Sequence, residues 1–274
     1  MLVSNIIGVI YMGRKYISNQ LLLVTLFLVF VISGCATHLQ NRDILYQTST
    51  INALLEGVYD GNLEYKNLKQ HGNFGIGTFD TLDGEMIAFD GKFYQIKADG
   101  TAYPASDSKK TPFAVVTFFE SDKSVSLGKV DDYKQLGQLL DSDFPTKNIF
   151  YAIRIDGNFK YIKTRSVPKQ NKPYVRLVDV VKNQPTFEFR NVDGTIVGFW
   201  CPSYAEGVNV PGYHFHFLTK DKKSGGHLLE CQMENVKAEI DYTSNFYMEL
   251  PNNTNFYKVD LGKDKKSELG KVEK

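Results

Sequence analysis

One dipeptide constrains the fold of this chain more than any other feature. Asp-Gly occurs at Asp83, Asp90, Asp99, Asp156 and Asp193, mostly between apolar, aromatic-rich runs. A two-residue hairpin turn of type I′ needs positive φ at both central positions, which Asp and Gly tolerate, so Asp-Gly between such runs marks paired antiparallel strands. "MIAFDGKFYQIK", "YAIRIDGNFKYIK" and "FEFRNVDGTIVGFW" are each predicted to form one hairpin. The run "PFAVVTFF" is apolar on both faces and predicts a central strand.

Helical spacing is rarer. In "TSTINALLEGVYDG", Ile51, Leu54, Leu55 and Val58 fall on one face, with Thr48 or Ser49 as cap and Gly61 as the stop. A second helix is predicted over 131–140, where Tyr133, Leu136, Leu139 and Leu140 share a face. A third starts at Pro173, turns Leu177, Val180 and Val181 inward, and stops at Pro185. The fold class that follows is α+β: sheet-rich, mainly antiparallel strands in two subdomains with a few flanking helices. The expected division is a signal segment over 1–35, an N-terminal mixed-sheet subdomain over 45–168, and a C-terminal β subdomain with a polar tail over 169–274.

The first 35 residues stand apart from fold reasoning. Arg14 and Lys15 precede "LLLVTLFLVFVIS", an apolar run of thirteen, followed by "GCA". Thirteen is short for a membrane span, which needs ~20 residues, and suits a signal peptide. "ISGC" resembles the lipobox of bacterial lipoproteins, with Cys35 as the lipidated residue; the alternative is a buried thiol near an uncleaved anchor. Met1 and Met12 both remain as starts. The expectation is an exported, lipid-anchored protein of the cell envelope, or a cytoplasmic one if the signal is not used. Cys201 and Cys231 lie in apolar, strand-like surroundings, as a single bridge or as two buried hydrophobes.

Net charge is +1, from 32 basic against 31 acidic residues. No basic stripe offers a footprint for nucleic acid, and the expected membrane contact is only through the lipid anchor. Lys220–Lys223 and Lys263–Lys266 read as a solvated turn and a solvated tail.

Three of the five histidines fall within "VPGYHFHFLTKDKKSGGHLLE". Side chains alternate along a strand, so His214 and His216 share one face and Phe215 and Phe217 take the other. If 220–223 is a four-residue turn, His216 lies directly opposite His227, and three imidazoles converge on one face of one hairpin. Three neutral imidazoles suit zinc or another divalent transition metal and leave positions for water or substrate. Three surface histidines on a solvated hairpin are the plainer alternative. A cupin motif would place glutamate three or four residues after the second histidine; Thr219 and Lys220 stand there, so that motif fails.

Taken with "YQTSTINALLEGVYDG", "HGNFGIGTFDTLDGEM", "NIFYAIRIDGNFKYIKTRSVPKQ" and "VDGTIVGF", the histidine segment makes the chain resemble alpha-acetolactate decarboxylase from about Leu45 to "LPNNTNFYKVDL". The resemblance implies a metal-dependent lyase that converts 2-acetolactate to acetoin and carbon dioxide, a two-domain sheet-rich fold, and a homodimer joined by sheet extension. It assigns His214, His216 and His227 as metal ligands, and Glu85 in "LDGEM" to the metal centre, carried on a loop beside the Asp83-Gly84 turn. Arg165 in "KTRSVP" falls on the active-site arginine; by residue pattern alone Arg154 competes, since an Asp156-Gly157 turn would put both on one face. A glutamate near the C-terminus is implied, with Glu273 the best positional match and Glu268 the other. Thr78 in "GIGTF" lies where the family lines its pocket. The glycines there do not complete a phosphate-binding G-x-G-x-x-G, because Asp80 takes the last place. A non-catalytic, lipid-anchored metal binder on the same fold is the alternative function.

Overall fold

The computed structural model describes residues 43–273; the expected signal segment, with Met12 and Cys35, lies outside the described residues. The chain begins with β1 (Ile44–Thr48), α1 (Ile51–Leu55), β2 (Leu63–Glu64), α2 (Tyr65–Leu68), β3 (Phe74–Thr78), β4 (Glu85–Phe89) and β5 (Lys92–Ile96). It continues through β6 (Ala102–Pro104), β7 (Lys110–Thr111), β8 (Ala114–Thr117), β9 (Lys123–Val130), α3 (Tyr133–Asp141) and β10 (Phe150–Arg165). Then come α4 (Leu177–Val180), β11 (Thr186–Cys201), β12 (Gly212–Thr219), β13 (Gly225–Thr243), β14 (Asn245–Glu249), α5 (Thr254–Lys258) and α6 (Lys266–Val272).

Two large sheets carry the fold. The seven-stranded sheet runs β14-β1-β8-β3-β4-β5-β6, with β8 central as its apolar run predicts; all its pairings are antiparallel except β1 with β14. The five-stranded sheet joins β9 to β13, β13 to β10, β10 to β11 and β11 to β12, and β12 returns to pair β13. Four of its strands therefore close into a ring. The closure lies at His227, which pairs Arg165 on one side and His216 on the other. Because β9 and β10 pair with β13, residues 123–165 belong to the second sheet, while β14 returns to the first, so the stretch 45–168 contributes strands to both sheets.

The Asp-Gly dipeptides divide too. Asp90 and Gly91 take φ of 52° and 71°, the type I′ signature, and join β4 to β5 as expected. Asp156-Gly157 and Asp193-Gly194 make no turn: each lies inside a sixteen-residue strand, and Gly157 stands directly opposite Gly194. Thr195 donates to Asp156 at 2.6 Å and Asn158 to Asp193 at 2.9 Å, so cross-strand partners take up the side chains a turn would have turned back on itself. A Cβ at Gly194 would lie 2.4 Å from the Phe217 ring, a close approach that only glycine allows.

The helices are shorter than their patterns. Thr50, not Thr48 or Ser49, caps α1, accepting from the Ala53 N–H at 3.2 Å. Asp132 caps α3 at 2.7 Å from the Gln135 N–H. Pro173 follows a cis bond and lies outside any helix; α4 begins only at Leu177. Leu177 and Val180 are buried as expected, with Val181 partly buried against the same core. That core includes Ile76, Ile87, Val197 and Phe199, residues from both sheets. Phe215 and Phe217 turn to a second core on the opposite face of β12, with Leu136 and Leu140 of α3. Cys201 and Cys231 are free and buried, one in each core, which removes the single bridge.

Candidate metal centre

The alternation along β12 puts His214 and His216 on the side of the first core, and His216 pairs with His227 in the expected register. All three rings are buried, at 8%, 1% and 2% exposure. β13 can approach β10 beside the site because of glycine: Gly226, already inside β13, has φ of 139°, and a Cβ there would lie 2.3 Å from the Arg165 carbonyl oxygen.

Arg165 reaches the same place by a different route. Between the pairs Lys163–Glu230 and Thr164–Leu228, β13 has one extra residue, a bulge at Leu229. Bulges re-aim the side chains beyond them. Here the bulge lets Arg165, the last residue of β10, stand opposite His227 with its guanidinium 4% exposed. Glu85 is the first residue of β4 rather than a loop residue; it pairs with Thr78 across the sheet and faces the histidines. Its Oε1 lies 2.6 Å from Arg165 Nη1 and its Oε2 3.7 Å from His216 Nε2. Thr78 lines the cavity and donates to the Gly84 carbonyl at 2.7 Å, which steadies the tight turn before Glu85.

Glu273, immediately after α6, brings its Oε2 to 3.8 Å from His214 Nε2 and 3.7 Å from His227 Nε2. Glu268 instead pairs with Arg176 away from the rings. Arg154 is also elsewhere: it bonds Asp90 at 2.7 Å and Asp156 at 2.6 Å and lines a separate cleft of about 530 Å³, whose walls contain no histidine. The smaller cavity, about 40 Å³, is the one that Glu85, Arg165, Glu273 and the three histidines share.

The three rings fit a metal. Burial, reinforced by Arg165, holds His214 at about 3 and both His216 and His227 well below the ordinary histidine value, so all three are neutral and each carries one ring nitrogen with a lone pair. His216 Nδ1 donates to the Met86 carbonyl at 2.8 Å, which fixes the tautomer and leaves a buried Nε2 with no hydrogen-bond partner. His214 Nε2 and His227 Nδ1 are 3.2 Å apart, and one ligand atom from each of the three residues lies within 4.8 Å of the others. Tetrahedral ligation at ~2.1 Å separates nitrogens by ~3.4 Å, so a small contraction suffices. Among the described residues this is the single such cluster.

Burial also pushes Glu85 up to about 7 against the pull of Arg165, and pushes Glu273 up to about 7. Two contributors had no sequence signal. The carbonyls of Met86 and Val272 orient His216 and Arg165, the latter at 3.1 Å, and backbone groups carry no residue type to read.

Known proteins are similar to this chain in sequence and fold. The family model for alpha-acetolactate decarboxylase matches residues 45–263. The alpha-acetolactate decarboxylase of Methanosarcina mazei is 55% identical over 85% of this chain and 81% of its own. That of Methylococcus capsulatus is 46% identical over 88% and 97%. The crystal structure of the Bacillus subtilis enzyme superposes with a TM-score of 0.82 at 43% identity, covering 84% of this chain and 99% of that one. The chain belongs to the alpha-acetolactate decarboxylase family.

Proposed function

We propose that this chain decarboxylates 2-acetolactate to acetoin and carbon dioxide at the buried histidine cluster, with His214, His216 and His227 holding a divalent transition metal such as zinc. The observation that carries the metal assignment is the convergence of three neutral, buried imidazoles, one with an unpartnered Nε2, beside a buried arginine. A bound cation with open positions supplies Lewis-acid stabilisation of the negative charge left when the carboxylate departs.

The chain's own groups do the rest. Arg165 directs Nη1 to Glu85 and Nη2 to the Val272 carbonyl, while its Nε is buried without a partner. A buried donor left unsatisfied is costly; here it is a preorganised site for the substrate's carboxylate before cleavage and for the developing oxyanion afterwards. Glu85 holds that guanidinium in place and contributes an oxygen to the metal's surroundings. Glu273 serves as the acid or base that moves the proton replacing carbon dioxide, a task suited to a carboxyl raised by burial. Ile51, Leu54, Phe113 and Leu177 wall the cavity with apolar surface and exclude water. A protein that only stored metal would gain nothing from the Glu85–Arg165 pair, which weighs against the non-catalytic alternative.

Purified protein should release acetoin from 2-acetolactate, lose the activity with a chelator, and regain it with zinc or another divalent ion. Activity unaffected by complete metal removal would end the metal reading.

The N-terminal segment supports export and lipid anchoring at Cys35; Cys35→Ser should free the protein from membranes, and retention there would refute the anchor. A homodimer is favoured by β14, an edge strand of the seven-stranded sheet, beside which Tyr247 and Leu250 are 55% and 49% exposed. Tyr247→Lys should halve the mass in solution, whereas an unaltered dimer would place the contact elsewhere.

A further inference from the structure

Glu273 reaches the metal centre from a helix of seven residues, too short to be stable by itself. Its N-cap, Lys265, makes no side-chain cap, so α6 depends on what surrounds it. Leu269 and Val272 enter the first core. The remaining hold is a chain of alternating charges. Lys265, 5% exposed, pairs with Glu56 at the end of α1; Arg176 at the start of α4 takes the same Glu56 oxygen at 2.8 Å and also grips Glu268 of α6. Burial alone would raise the Glu56 carboxyl, but Lys265 and Arg176 outweigh it and hold it below the usual carboxylate range. Three short helices are thereby tied at one point. The matched family span stops at residue 263, before this helix.

We infer that Arg176, bridging Glu56 and Glu268, is a positioning residue that clasps α6 so that Glu273 meets the histidine centre, with Lys265 and Glu56 as the other half of the clasp. The inference rests on the proposed role of Glu273. Arg176 makes no contact with the cavity lining's histidines; its effect passes through the helix, where a displacement of about 1 Å at a reacting group can cost ten- to a hundredfold in rate.

The test uses metal-loaded, full-length protein. Arg176→Ala should lower kcat about tenfold at unchanged metal content, and carboxypeptidase should release the C-terminal residues faster than from wild type. In a Glu273→Gln background the same change should cost less than about twofold, because the group it positions is already disabled. Glu268→Gln leaves the Arg176–Glu56 pair intact and serves if Arg176→Ala does not fold; it should show the same pattern more weakly. Wild-type kcat and unchanged tail release in the clasp variants would overturn the inference, as would an equal loss in the Glu273→Gln background. Full activity of Glu273→Gln bears on a different point: it removes the glutamate's proton role, while faster tail release in Arg176→Ala still supports the clasp.

Discussion

Two halves of the site are built by unlike means. His214, His216, His227, Arg165 and Glu85 stand on strands; His216, for instance, pairs with Val197 on one side and His227 on the other. Glu273 follows a short helix held by two buried side chains and a chain of ion pairs. Ladder hydrogen bonds fix a strand residue at every step, whereas ion pairs near the surface each contribute little and depend on long side chains. The strand half is therefore the rigid template, and the tail half is the adjustable one, drawn from the less stable end of the structure.

The strongest way to break this contrast is in the template. His216→Ala removes a proposed ligand nitrogen and the Met86-held tautomer together. Metal content measured by atomic spectroscopy should fall to background, and turnover should drop by ~10³ or more, the scale of a lost Lewis acid. Full turnover in the metal-free variant would take the histidines out of the chemistry. Arg165→Ala should leave metal content intact and cut kcat by ~10²–10³, as for loss of a preorganised oxyanion donor. Its side effect sharpens the comparison. Arg165 also holds the Val272 carbonyl, so its loss should loosen the tail, and the rate of carboxypeptidase release should rise with it. An unchanged rate of turnover would exclude Arg165 from the reaction.

The same division explains what the sequence could show. The histidine hairpin was legible because two local rules determine it: alternation along a strand, and a turn length that sets which residue faces which. Arg165 was not, since its orientation depends on an extra residue at Leu229 and on a ring of strands closing at His227, both consequences of pairings across the whole sheet. Its choice over Arg154 came from family resemblance alone. The Asp-Gly rule failed at Asp156 and Asp193 for a related reason. Long-range pairing over sixteen residues of β10 and β11 offered more hydrogen bonds than two local turns, and it set Gly157 opposite Gly194. The tail was least legible of all: Arg176 and Glu268 are 92 positions apart, and Glu56 and Lys265 are 209 apart. No periodicity links such pairs.

The smallest expected effect isolates burial from the metal centre. Asp241 is 1% exposed, and burial pushes its carboxyl up to about 7, the value that burial also gives Glu85 and Glu273. It lies apart from the histidines; its neighbours are the Glu120 N–H, which donates to it at 3.1 Å, and the acids Asp122, Asp43 and Glu120. A carboxyl raised above its unfolded value binds more protons folded than unfolded between the two values, so stability falls as pH rises from about 4 to about 7 and then levels. Asp241→Asn keeps an acceptor for the Glu120 N–H and removes the charge. Its unfolding free energy relative to wild type should therefore be higher at pH 8 than at pH 5, a differential of roughly 2–3 kcal/mol measured by denaturant unfolding. Acetoin production should not change, since nothing in either half of the site touches Asp241. If the two proteins keep a constant difference across that range, burial alone does not raise a carboxyl in this fold. The elevated Glu85 and Glu273 would then have to be attributed to their own surroundings, and the equivalence between a template-borne and a tail-borne carboxyl would fail.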